Sequence, residues 1–116
     1  KEVLETIGFF DERFFFYYED ADLCLRARCC GFETLVVPEA RVWHTEQSRW
    51  NPRKAYFLVL SGLIFFEKHT PPWLRPYQWA YVTMRRLKNR MDTWRGRAGA
   101  VEVGRAYRTY FDGQAD

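Results

Sequence analysis

The sequence predicts an α/β fold, a helix-flanked fragment of a mixed sheet followed by a helical extension. Three observations lead there. Two short runs rich in β-branched and aromatic residues, Glu33–Val37 and Arg41–His44, read as strands. The acidic segment before them leads into an amphipathic pattern at helical spacing, and everything after residue 52 carries helical periodicity broken only by proline and glycine.

Taken in order, residues 1–8 read as a short helix closed by Gly8. With no initiator Met, no leader and no strand before it, that start reads as a piece cut from a longer protein. From Asp20, apolar Leu23, Leu25, Ala27 and Cys30 alternate with Arg26 and Arg28 over about three turns, and Gly31 stops the helix. Pro38 ends the first strand, and His44 falls where the second gives way to a polar loop, residues 45–52, that holds Trp50. Residues 53–70 form a helix whose apolar middle, 55–66, falls short of the roughly 20 residues that span a bilayer. It is expected either in a core or along a membrane interface. Pro71 and Pro72 break it, residues 77–94 form a strongly basic second helix, and residues 100–111 form an amphipathic last one.

Composition narrows the class. The 116 residues allow one domain's worth of core, and 47% hydrophobic with 19% aromatic content suits apolar faces that expect partner surfaces, hence self-association. Residues 1–50 carry 6 basic against 10 acidic side chains and residues 51–116 carry 12 against 5, so an acidic half of −4 joins a basic half of +7. A basic, Trp- and Tyr-rich tail fits an anionic membrane surface. Nucleic acid is not expected, because the acidic half holds no recognition motif. Cys24, Cys29 and Cys30 cannot all pair with one another, which points to a reducing compartment. Without a Cys-x-x-Cys, and with His44 and His69 far apart, they make no zinc site; they are expected as buried small apolar residues.

The stretch from Phe9 to Cys24 crowds aromatic rings against Asp11, Glu12, Glu19, Asp20 and Asp22. Apolar walls strengthen local electrostatics, so such carboxylates can hold a metal, take a proton or grip a hydroxyl-rich ligand. The same acids also suit the first turn of any helix, where unpaired N–H groups and the dipole attract negative charge.

Three blocks in order raise the functional reading. Residues 8–15, Gly-Phe-Phe-Asp-Glu-Arg-Phe-Phe, resemble the Gly-Gly-Phe-Asp-Glu-x-Phe-Phe segment of family 2 glycosyltransferases of the GT-A fold, with Phe9 where a second Gly is common. Residues 19–26 match that family's Glu-Asp-x-Asp-Leu-Cys-x-Arg block, with Gly31-Phe32 its following pair, and residues 37–44 match its Val-Pro-x-Ala-x-Val-x-His block. The chain thus resembles the C-terminal half of an inverting, rhamnosyltransferase-like enzyme. The resemblance implies residues 1–50 as the acceptor-side catalytic half, residues 51–116 as a helical extension, and a nucleotide-binding half outside this chain, without which the chain alone is not expected to transfer sugar.

It also implies roles. Asp20 takes the general-base position, with Glu19 the next candidate or an acceptor-binding group. Asp22 is placed with the acceptor contacts, or else caps the helix or orients a neighbour. His44 matches a histidine that completes the coordination of Mg²⁺ or Mn²⁺ beside an Asp-x-Asp motif outside this chain. Trp43 and Trp50 could stack on a sugar or base, or pack in a core. Arg49 and Arg53 are candidates to close over diphosphate oxygens, or belong to a solvated loop. Where the family often carries Arg-Asn, this chain has Leu60-Ser61, a departure that weakens any acceptor or phosphate role for that helix. The implied partners are a nucleotide-diphospho-sugar donor and a glycan or lipid-linked acceptor. The expected location is cytoplasmic, peripheral at the inner membrane face. The alternative is a non-catalytic docking or oligomerisation module built on the basic aromatic tail.

Overall fold

A computed structural model describes residues 1–43 and 51–113. Its elements in chain order are α1 (Glu2–Ile7), α2 (Glu19–Cys29), α3 (Pro52–His69), a 3-10 turn (Pro72–Leu74), α4 (Arg75–Trp94) and α5 (Ala100–Asp112). The local causes are legible. The Asn51 side chain accepts the Arg53 N–H (2.9 Å) and Pro52 occupies the first turn of α3, where its missing donor costs nothing. Lys68 and His69 fall in the last turn of α3, where positive charge complements the dipole. Helix α5 closes on Gly113 at φ 66°, the left-handed position that glycine adopts without strain.

Helix α5 packs against both α3 and α4. Leu63 of α3, Val82 of α4 and Tyr107 of α5 meet there as the buried core, ringed by Val59, Val103, Tyr110 and Phe111. The Tyr56 hydroxyl and Thr109 Oγ1 meet at 3.1 Å across α3 and α5, and Asn89 Nδ2 donates to the Ala100 carbonyl (3.1 Å) across α4 and α5. Helix α1 lies against α2.

The α/β expectation, and with it the mixed GT-A sheet, is overturned: among the described residues there is no strand. Residues 33–37 and 41–43 carry no regular structure, and Leu35 and Val36 are 77% and 90% exposed. β-propensity marks side chains that fit a pleated, half-buried surface, and an unpaired segment has no such surface to join. His44, the end of the second expected strand, lies outside the described residues. The cysteine expectation also fails in part. All three thiols are free, and only Cys24 is partly buried while Cys29 and Cys30 are exposed on the last turn of α2 and just beyond. Among the described residues no helix is long and apolar enough to cross a membrane.

Candidate functional site

The acidic end of α2 is positioned by an unusual backbone. Tyr17 and Tyr18 both adopt left-handed φ, 69° and 67°, and Tyr18 is the cap from which α2 starts. Side-chain-bearing residues pay about 1–3 kcal/mol each for such conformations and keep them only where surroundings over-determine them. Helix α3 does the determining. Ser61 Oγ donates to the Phe16 carbonyl (2.7 Å), and the Tyr18 ring packs tilted against Phe65 with centroids 5.2 Å apart. Gly62 lets the ring approach, since a Cβ there would stand 3.3 Å from Tyr18 Cε2. Gly62→Val is therefore expected to cost about 1–3 kcal/mol by overpacking, whereas in Gly62→Ala the helix-propensity gain of about 1 kcal/mol offsets a milder squeeze. Urea melts of the two variants check this, and equal stability would mean that Tyr18 moves aside freely.

Below the strained pair lies an ion network. Asp22, on the first turn of α2, is completely buried. Its Oδ1 receives Lys68 Nζ (2.6 Å) and His69 Nε2 (2.7 Å) from the end of α3, and its Oδ2 receives Arg26 Nε (2.8 Å). The guanidinium of Arg26 also donates to the carbonyls of Ile7 and Phe9, tying the loop after α1 to α2. Lys68 reaches Asp11 as well (2.8 Å), which Arg13 grips through two nitrogens. Burial by itself raises the Asp22 carboxyl, but hydrogen bonds from Lys68, His69 and Arg26 outweigh it and the net shift is downward. Arg13 and then Lys68 hold Asp11 far below the ordinary carboxylate range. Both acids are ionised wherever the fold is intact near neutrality.

The next two acids are left for other work. Asp20 is exposed, and its Oδ1 accepts only a local bond from the Ala21 N–H (2.7 Å). Glu19 is half-buried, and its Oε2 is shut off from solvent with no hydrogen-bond partner among the described residues. A buried acceptor without a donor costs free energy, so it marks a place that an incoming O–H or N–H would satisfy.

Of the residues singled out from sequence, the structure brings Glu19, Asp20 and Asp22 together on one helical turn. Trp43 stands 86% exposed in irregular chain, and Arg53 is exposed on the first turn of α3. His44, Arg49 and Trp50 lie outside the described residues. Sequence reasoning missed Lys68 and His69 as partners of the acidic turn, Ser61 and Gly62 as its support, and the strain at Tyr17 and Tyr18. A basic last turn on α3 and a small-residue pair inside an apolar helix were the available signals.

Beside this turn an open, mainly apolar cleft of about 570 Å³ runs between α3, α4 and α5, with Tyr18, Gly62, Phe66, Tyr77, Tyr81 and Tyr107 among its walls. Burial pushes the Tyr107 phenol up, so it remains a hydroxyl at all ordinary pH. Among the described residues no three His, Cys, Asp or Glu side chains converge as a bound metal would require. Of the ligands inferred for Mg²⁺ or Mn²⁺, only His44 belongs to this chain.

No family model matches the chain, and no solved structure matches it. Over 77 residues, 63% of its length, it is 35% identical to the N-acetylglucosaminyl-diphospho-decaprenol L-rhamnosyltransferase of Mycobacterium tuberculosis, in both strain CDC 1551 / Oshkosh and strain ATCC 25618 / H37Rv. The chain covers about a quarter, 25%, of the length of those curated relatives. The likeness is to glycosyltransferases, and it is partial and distant.

Proposed function

We propose that the chain supplies the proton-accepting, acceptor-side part of a glycosyltransferase that moves a sugar from a nucleotide-diphospho-sugar to a hydroxyl of a lipid-linked glycan, with inversion. The observation that carries this reading is the first turn of α2. A solvent-open carboxylate, Asp20, stands next to a carboxylate oxygen of Glu19 that is buried and unpartnered, and both follow a strained tyrosine pair held from α3. The likeness to an enzyme named for a diphospho-decaprenol substrate supports the reaction class and the acceptor type.

In such a transfer the acceptor oxygen attacks the anomeric carbon as the bond from that carbon to the diphosphate breaks. The hydroxyl proton passes to a carboxylate, and the nucleoside diphosphate leaves with the bonding electrons. Asp20 takes the proton. Glu19 Oε2 accepts a hydrogen bond from a second hydroxyl of the acceptor and so orients the first. Asp22 orients the turn without touching substrate, because its oxygens are occupied by Lys68, His69 and Arg26. A bound Mg²⁺ or Mn²⁺, with His44 as this chain's candidate ligand, would supply charge to the leaving diphosphate. In the same reading Trp43 and Trp50 contact sugar, and Arg49 and Arg53 contact diphosphate.

The test supplies the intact enzyme, this chain joined to its nucleotide-binding half, with radiolabelled nucleotide-diphospho-sugars, one carrying L-rhamnose, and N-acetylglucosaminyl-diphospho-polyprenol. Label moving into the lipid fraction with inverted anomeric configuration is the expected result. Retention of configuration, or no transfer from any donor, would overturn the proposal.

A further inference from the structure

Helix α4 uses one face to meet α5, through Val82 and Asn89, and leaves the opposite one bare. Tyr77, Met84, Leu87, Met91 and Trp94 recur at intervals of seven, three, four and three residues, which places them on a single stripe. They are exposed by 72%, 58%, 55%, 51% and 86%, and Trp73 in the preceding turn extends the row at 77%. An apolar stripe of that length, with a Trp at each end, is more than scattered surface hydrophobics.

Its charge setting selects the occupant. Residues 75–97 hold seven Arg and Lys against one acid, Asp92. That acid is already engaged by Lys88 (2.7 Å) and Arg97 (3.1 Å). Lys88 and Arg95 follow Met84 and Met91 by four residues and so share the side of the stripe. Two copies laid stripe to stripe would bring Lys88 and Arg95 of one against those of the other, which disfavours self-pairing. Nucleic acid would match the charge but not the methionine, leucine and tryptophan between the charges. A bilayer with anionic headgroups matches both, since it takes apolar side chains into the acyl boundary, Trp at the headgroup level and Arg or Lys at the phosphates.

We infer that α4 lies flat on an anionic lipid bilayer, its Trp73–Trp94 stripe immersed and Lys88 and Arg95 beside it on the headgroups. At about 1.5 Å per residue the helix would cover about 30 Å of surface. Tyr77 belongs both to the stripe and to the wall of the apolar cleft that reaches Tyr18, so the seated helix connects the bilayer to the acidic turn of α2. This docking does not depend on the sugar-transfer reading.

The experiment is flotation of the full protein with vesicles of phosphatidylcholine alone or mixed with phosphatidylglycerol, at low and high salt. The wild type is expected to float with the anionic vesicles and to release as salt rises. Met84→Glu with Met91→Glu should weaken binding by about ten-fold or more at unchanged circular dichroism, because both positions are solvent-exposed in the fold. Trp94→Phe, a gentler change, should remove part of the fluorescence quenching by brominated lipid. No binding to anionic vesicles at low salt would overturn the inference, as would binding that the double variant leaves intact. So would retention by single-stranded RNA in place of vesicles, or a dimer in solution that the double variant dissociates.

Discussion

Asp22→Ala is expected to lower the free energy of unfolding by about 3–5 kcal/mol, the penalty for removing one partner of a buried ion pair. The carboxylate is completely buried and gathers nitrogen partners from two elements: Arg26 from its own helix, Lys68 and His69 from α3. Deleting it leaves Lys68 with Asp11 as its remaining carboxylate and strips His69 Nε2 of the Asp22 oxygen it meets. Typical domains hold only about 5–15 kcal/mol in total, so the loss should be visible as a large drop in the urea midpoint. The sign of the pH dependence follows from the direction of the shift. A carboxyl whose folded pKa is depressed contributes stability above its unfolded value of about 3.9, and that contribution disappears as pH falls through the folded value. The gap between wild type and Asp22→Ala should therefore be full at neutral pH and shrink below about pH 4. A gap under about 1 kcal/mol at pH 7, or one that grows with acid, would mean that the network contributes no net stability.

The same network shows what a single sequence can and cannot disclose. The helices were legible because their causes are local: proline after Thr70 and apolar residues at helical spacing fixed α3, α4 and α5 to within a residue or two. The segment 33–37 was misread because propensity was taken as pairing, and a strand exists only through a neighbour. Asp22 was legible as an acid on a first turn, but its α3 partners Lys68 and His69 lie 46 and 47 positions away and depend on where the end of α3 meets α2. The left-handed pair at 17 and 18 was invisible, because tyrosine gives no warning of positive φ as glycine or asparagine would. Helix α4 was legible as a helix, while its bare stripe needed the structure to show which face α5 covers.

The second large effect separates two neighbouring acids. Asp20→Asn in the active protein is expected to cut kcat by about 10²–10⁴ with little change in donor affinity, because a proton acceptor is lost while the shape of the turn is kept. Asn retains an oxygen to receive the Ala21 N–H, so the fold and helicity should match the wild type. Glu19→Gln is expected to act chiefly on acceptor KM, since Oε2 is assigned to hold a second hydroxyl and its amide replacement can still accept a bond in one rotamer. The two positions are read together in initial-rate measurements over donor and acceptor. A large kcat loss at Glu19 with none at Asp20 would exchange their roles and leave the reaction class in place. Full turnover in both variants would remove the first turn of α2 from the chemistry, and Asp22 with its cations would then be only a structural clamp between α2 and α3.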